Sequence, residues 1–203
     1  GFEPAVVEEQ IEPNGAFPTL KVPNPENEAA FAFAINQCRN GRDDCDVRNG
    51  RDSGAQMILA TDPDADRVAC AVRDLDQAVC QSQSEQADTG DFQVLSGNQT
   101  AALLCDFVLT LEHGKSRGNT RGNSRGRANG GGTRFPEPLV ATSFVTTGLV
   151  QAIAQKYGLS VLETPPGFKY IGAAAEKAAR RGRPFLFGCE DSCGYLIGDY
   201  VRD

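Results

Sequence analysis

The sequence predicts an α/β protein of two domains, the second with a largely parallel sheet covered by helices. Three observations predict this class. Between residues 138 and 188, apolar runs of strand length alternate with segments of helix length, PLVATSF, LVQAIAQKYG, SVLET, AAAEKAARRG and PFLFG, which is the order of βαβ units. Two further strand-like runs, QMILAT and RVACAV, lie before residue 75 and are separated from the first group by a long polar stretch. Hydrophobic residues make up 40% of 203, enough apolar material for two small cores.

Taken in order, residues 1–24 are proline-rich and extended in character, with FPTLKVPNP carrying three prolines. A helix is expected over 25–39. Pro25 suits its first turn, Glu26 and Glu28 suit its positive end, and AAFAFAI supplies the apolar face. Residues 40–54 are charged and turn-rich and read as loop. QMILAT reads as a buried strand and RVACAV as the next one. Residues 74–93 are polar and weakly patterned, and a boundary is expected at 90–96, giving domains at 1–95 and 96–203. SGNQTAALLCDFVLTLE then offers a polar start and helical apolar spacing within 95–112. Residues 113–134 carry six Lys and Arg and no acidic residue among Gly, Asn and Ser. Such a segment cannot pack a core and reads as a long flexible loop, although RG-rich composition also occurs in RNA-binding tracts.

The bulk numbers exclude several function classes. A net charge of −7 argues against nucleic acid as the main partner, because phosphate neutralisation needs a basic face. The seven cysteines are odd in number and include no C-x-x-C pair, a poor basis for a disulfide framework or zinc site. Several lie in apolar runs such as VACAV and ALLCDF, as reduced thiols of a cytoplasmic protein do. No run of about 18 apolar residues points to membrane spanning. His113 is the only histidine, leaving no material for a Ser-His-Asp or Cys-His mechanism. The chain begins at Gly1 and stops at Asp203 after a strand-like apolar run, and is expected to be part of a longer protein.

The strongest chemical signal is ATDPDADR, where a strand delivers Asp62, Asp64 and Asp66 at alternate positions, followed by Arg67. If the loop curls about a point, three carboxylates converge on one hard cation. Such a set suits Mg2+, which keeps its other positions for water and phosphate oxygens. The ion would remove the repulsion between unpaired carboxylates, and the Arg67 guanidinium matches a phosphate. An EF-hand also begins D-x-D-x-D, but needs Gly and Glu where Arg67 and Arg73 stand here. A haloacid dehalogenase-like phosphatase carries D-x-D-x-T/V after a strand, whereas this loop has a third Asp. A solvated acidic turn is the plainest alternative.

ATDPDADR resembles the metal loop of the α-D-phosphohexomutases in its proline-containing variant. Four further segments resemble that family in the same order: FPTLKVPNPEN, FQVLSGNQTAALL, ETPPGFKYIG and FGCEDSCGYLIGDYVRD. The resemblance implies the second and third of four domains, each an α/β unit with a mixed, largely parallel sheet and helices packed on its faces. The first part would be the C-terminal portion of domain 2 with the metal loop, and the second part domain 3 with the basic segment as an insertion. It implies transfer of a phosphoryl group from a phosphoserine to a hexose phosphate through a hexose bisphosphate, with Mg2+ as cofactor. Asp62, Asp64 and Asp66 fall on the metal ligands, and Arg67 on the arginine beside the transferred phosphoryl group. Glu190 and Ser192 fall on the sugar-binding loop. Gly167, Phe168 and Lys169 fall on the segment lining the substrate cleft, Lys169 also as a phosphate or proton-transfer contact or else a surface lysine.

Departures from the family pattern are Asp191 for Glu, Cys193 for Gly or an aromatic, and Pro166 for Thr. No T-A-S-H-N-P motif occurs, so the transferring serine would lie outside this chain, with the remaining domains of the parent as partners. The proline-containing loop and the GYLIG run favour a phosphoglucomutase-type enzyme acting on glucose 1-phosphate and glucose 6-phosphate. Phosphomannomutase or phosphopentomutase specificity, or a non-catalytic phosphosugar- or metal-binding module, are the alternatives. This chain alone is expected to be inactive.

Overall fold

The computed structural model describes residues 4–40, 55–73, 92–119 and 137–198. The loop expected at 40–54, the polar stretch from 74, the basic segment beyond 119 and residues 199–203 fall wholly or largely outside the described residues. The chain divides into two compact units, Gly1–Ser96 and Gly97–Asp203.

In the first unit a short 3-10 turn at Glu8–Gln10 is followed by irregular chain. The helix expected from Pro25 begins later. Asn24 turns back on Glu26, whose N–H donates to its Oδ1 at 3.0 Å. The Asn27 side chain then caps a 3-10 turn, Glu28–Phe31, which runs into α1 (Ala32–Asn40). An asparagine acceptor thus sets the start. Phe31 and Ile35, one helical turn apart, are buried with Cys38.

Strands β1 (Met57–Thr61), β2 (Val68–Arg73) and β3 (Phe92–Val94) form a sheet in that order. Both pairings are antiparallel, with Thr61 opposite Val68 and Met57 opposite Val72. The α/β class holds, but the largely parallel arrangement does not extend to these three strands. Six residues separate β1 from β2, too few for the crossover a parallel pair requires. β1 is also less buried than its apolar run suggested. Ile58 is buried, while Met57 and Leu59 are 54% and 62% exposed, so β1 lies at the edge of the described sheet with one covered face. β3, only three residues long behind a polar stretch, has no legible periodicity in the sequence.

The second unit runs α2 (Gly97–Asn119), β4 (Leu139–Ser143), α3 (Leu149–Lys156), β5 (Val161–Thr164), α4 (Phe168–Arg180), β6 (Phe185–Cys189) and β7 (Tyr195–Ile197). The strand order is β5-β4-β6-β7. β4 pairs in parallel with β5 and β6, and β7 is antiparallel to β6. All five residues of β4 are buried, the signature of a strand covered on both faces. Alternation along β4, with a register irregularity against β6 that separates Phe185 from Phe187, divides the core. Val140, Phe187 and Cys189 pack under Ala101, Cys105, Val108 and Leu109 of α2 and Val150 and Ala154 of α3. Leu139, Ala141 and Phe185 pack under Ile171, Ala174 and Ala178 of α4, whose 171, 174, 178 spacing makes one helical stripe. α2 continues past Glu112 into the start of the basic segment, as far as Asn119. No proline interrupts it, and extending a formed helix costs little. No helix among the described residues is long and apolar enough to cross a membrane.

Candidate functional site

β1 ends at Thr61 and the chain turns immediately. Ala65 N–H donates to the Asp62 carbonyl at 3.1 Å, and Ala65 adopts a left-handed φ of 58°, a strain on the order of 1 kcal/mol for a residue with a Cβ. The turn curls the loop. In an extended strand, alternate residues are about 7 Å apart, but Asp62, Asp64 and Asp66 each offer an oxygen within 4.8 Å of the others. Arg67 is tied into the same turn. Its N–H donates to Asp62 Oδ1 at 3.1 Å, and its Nε lies 3.7 Å from Asp62 Oδ2 and 4.0 Å from Asp66 Oδ1.

Three hard oxygen donors on one short loop fit an oxygen-loving divalent cation. The electrostatics agree. The Asp66 carboxyl is pushed above its ordinary value, first by its hydrogen bond with Asp62, then by desolvation and by the charges of Asp62 and Asp64; Arg67 pulls it partly back. The surroundings of Asp66 thus oppose its ionisation, and a bound cation would offset that opposition.

In the second unit the chemistry gathers at the C-terminal edge of the parallel strands. From β4 the chain passes through α3 to β5 on one side, then through α4 to β6 on the other. The loops after β4 (144–148) and β6 (190–194) therefore flank the point where strand order reverses, where open α/β sheets bind ligands. Glu190, only 7% exposed, accepts the Gly167 N–H on Oε1 at 2.6 Å. Its own N–H donates to the Gly194 carbonyl at 3.0 Å, closing the loop. Gly167 has φ 122°, a backbone state that only glycine adopts cheaply. Gly194 lies against the Phe168 ring so closely that a Cβ would stand 2.9 Å from it.

The structure thus brings Glu190, Gly167 and Phe168 together, with half-buried Ser192 in the same loop. Lys169 is exposed and lies over the Tyr170 ring, its Nζ 5.1 Å from the centroid. Sequence reasoning missed a row of buried hydroxyls at this edge. Thr142 donates to the Cys189 carbonyl at 3.2 Å, Thr164 to the Thr142 carbonyl at 3.4 Å, and Ser143 Oγ lies 2.8 Å from Thr146 Oγ1. The run TSFVTT behind an apolar strand was the available signal.

Comparisons with known proteins agree with this architecture. Residues 1–75 match the family model for phosphoglucomutase/phosphomannomutase, alpha/beta/alpha domain II, and residues 96–203 match domain III. The chain is 30% identical over 203 residues to human phosphopentomutase, covering 98% of itself and 27% of that protein. It is 32% identical over 206 residues to human glucose 1,6-bisphosphate synthase, covering 100% of itself and 27% of the relative. A probable phosphomannomutase of Haemophilus influenzae is 32% identical over 202 residues, which is 99% of this chain and 30% of that one. The chain thus spans about a quarter to a third of the length of these curated relatives. The crystal structure of a phosphoglucomutase/phosphomannomutase family protein from Burkholderia thailandensis superposes with a TM-score of 0.50 at 14% identity, over 86% of this chain and 26% of that one. With matching models over both units, the chain belongs to the phosphoglucomutase/phosphomannomutase family, the α-D-phosphohexomutases, of which it carries domains II and III.

Proposed function

We propose that this chain supplies the metal loop and the sugar loop of a cytoplasmic phosphosugar mutase, of which glucose 1-phosphate and glucose 6-phosphate are the foremost substrates. The observation that carries the reading is the convergence of Asp62, Asp64 and Asp66 within 4.8 Å beside Arg67. Those three carboxylates would hold the ion, Mg2+ by donor type. When bound, the ion supplies charge neutralisation for in-line phosphoryl transfer. Arg67, oriented through its Nε by Asp62 and Asp66, has further N–H donors for phosphoryl oxygens. Glu190 spends Oε1 on Gly167 and offers its second oxygen to a sugar hydroxyl. Ser192, two residues on, can hold a neighbouring hydroxyl, which suits a bisphosphate that binds in either orientation. Lys169, exposed in the first turn of α4, is a contact for the non-transferred phosphate.

The sequence contains no serine in a T-A-S-H-N-P setting, so the phosphoryl group reaches these loops from a phosphoserine outside the chain. The similarity to proteins named phosphopentomutase, probable phosphomannomutase and glucose 1,6-bisphosphate synthase supports pentose or mannose phosphates about equally well. The test has two arms. Calorimetric titration should detect Mg2+ binding to the chain that disappears in Asp62→Asn, Asp64→Asn and Asp66→Asn. Coupled assays of the enzyme containing these domains should show turnover of glucose, mannose or ribose 1-phosphate, abolished by the same changes. Magnesium binding without any mutase activity in that enzyme would favour a non-catalytic metal- or phosphosugar-binding module. Mutase activity from the 203-residue chain alone would refute an external serine.

A further inference from the structure

The dipeptide Gly97-Asn98 has no part in the chemistry above, yet it touches both loops at the edge of the second sheet. Gly97 opens α2, and the chain around Asp191 passes so close that a Cβ on Gly97 would stand 1.8 Å from the Asp191 carbonyl oxygen and 3.0 Å from the Cys193 nitrogen. The Gly97 carbonyl also accepts the Tyr195 hydroxyl at 3.1 Å, across 98 residues of sequence. The next residue reaches the other loop. Asn98 Oδ1 accepts the Thr147 N–H at 2.9 Å across 49 residues, and Thr147 Oγ1 in turn accepts the Leu149 N–H at the start of α3.

We infer that Gly97 and Asn98 are positioning residues, the fixed post to which the 144–148 and 190–194 loops are both tied, and that they set the affinity of the site through Glu190. The two loops are far apart in sequence and would otherwise fluctuate separately, since a loop's order depends on its long-range contacts. A dipeptide hydrogen-bonded to both, at the start of a long helix with one face packed in the core, gives both one reference point. The absence of a side chain at Gly97 is what allows the Asp191 backbone to approach. Displacing the adjoining Glu190 carboxylate by about 1 Å is enough to cost a large part of ligand orientation. At Asn98 only the acceptor oxygen is used, so an aspartate should serve equally, and its charge suits a helix N-terminus.

The choice of ligand rests on the sugar-phosphate reading above; the ties themselves do not. The experiment compares the 203-residue chain with Asn98→Ala, Asn98→Asp and Tyr195→Phe, following amide hydrogen exchange and titration with glucose 6-phosphate. Asn98→Ala should exchange faster at Thr147 by about tenfold, the loss of one hydrogen bond, with glucose 6-phosphate affinity down by a similar factor. Tyr195→Phe should do the same across 190–194, and Asn98→Asp should restore both readouts. Mg2+ affinity at Asp62, Asp64 and Asp66 should stay at its original value throughout. Wild-type exchange in both loops of Asn98→Ala and Tyr195→Phe would overturn the inference. So would faster exchange with unchanged sugar-phosphate affinity, since the ties would then be structural only. If the wild-type chain binds no glucose 6-phosphate while the exchange effects appear, the ties stand and the sugar-phosphate reading falls.

Discussion

The aspartate loop of the first unit leaves Asp64 and Asp66 exposed, turns on a strained Ala65 and holds its carboxylates against their mutual repulsion with one arginine. The 190–194 loop of the second unit is built differently. Glu190, Cys193 and Gly194 are buried, Glu190 is bonded to Gly167, and the loop rests on the Phe168 ring and on Gly97. One loop is electrostatically unbalanced by itself, whereas the other is held in place by its own hydrogen bonds and packing. The difference matches the two tasks proposed for these loops. A charged ion supplies its own binding energy, whereas neutral sugar hydroxyls reward only donors and acceptors that are already fixed. Substitutions should therefore separate the two regions, with large effects on stability in the second and almost none at the aspartates.

The largest effect is expected at Phe187, a fully buried β6 side chain at the centre of the α2/α3 face. Phe187→Ala should cost about 3–5 kcal/mol in chemical denaturation, the usual loss for a core phenylalanine. A cost under about 1 kcal/mol would mean that the pre-organised loop does not rest on a packed sheet.

Next in size is an alkaline effect from the same core. Burial pushes the Cys189 thiol up to about 11 from 9.0, with the Thr142 hydrogen bond opposing and Glu190 adding. Burial, with smaller contributions from Cys189 and Asp106, takes Cys105 to about 12. For an acid whose folded value is raised, stability is fully present below the unfolded value and is lost as pH rises toward the folded one. Stability should thus hold up to about pH 9 and fall by on the order of 1 kcal/mol per thiol by pH 10. A Cys105→Ala, Cys189→Ala double variant should lose that part of the slope. An identical alkaline decline in the double variant would assign it to other groups.

A cost of similar size is expected at Gly97→Ala, where the new methyl meets backbone rather than a flexible side chain. Overpacking of this kind costs about 1–3 kcal/mol, read as a drop in melting temperature. Unchanged melting would show that the 190–194 loop moves aside freely, which would erase much of its contrast with the aspartate loop.

How far these features were readable beforehand follows from their range in sequence. The βαβ order of the second unit was visible because each element there has a clean apolar run, and ATDPDADR stood out because its chemistry is local, whereas the segment around Glu190 stood out only by its resemblance to the family's sugar loop. The antiparallel first sheet, the edge position of β1 and the strand at 92–94 were not visible. Pairing partners are set by loop length and burial, which no single run records. The delayed start of α1 turned on Asn24 and Asn27 competing as local hydrogen-bond acceptors, which hid the boundary behind Pro25. The ties of Gly97 to Tyr195 and Asn98 to Thr147 span 98 and 49 residues, a distance over which sequence patterns are silent.

The smallest effect on folding is expected at the aspartates, and it tests the contrast most directly. Asp66→Asn removes a charge that faces Asp62 and Asp64 and keeps the side-chain shape. Carboxylates this close repel one another when no cation lies between them, so removing one charge should leave the melting temperature of the metal-free chain unchanged or slightly higher. The same change takes away one of three donors and should weaken Mg2+ binding by about a hundredfold or more. Added Mg2+ stabilises in proportion to its occupancy, so the wild-type chain should melt higher with the ion and Asp66→Asn should show no such rise. A substantial fall in the metal-free melting temperature would mean that Asp66 holds the loop together by its hydrogen bond to Asp62, and that the aspartate loop is as pre-organised as its counterpart.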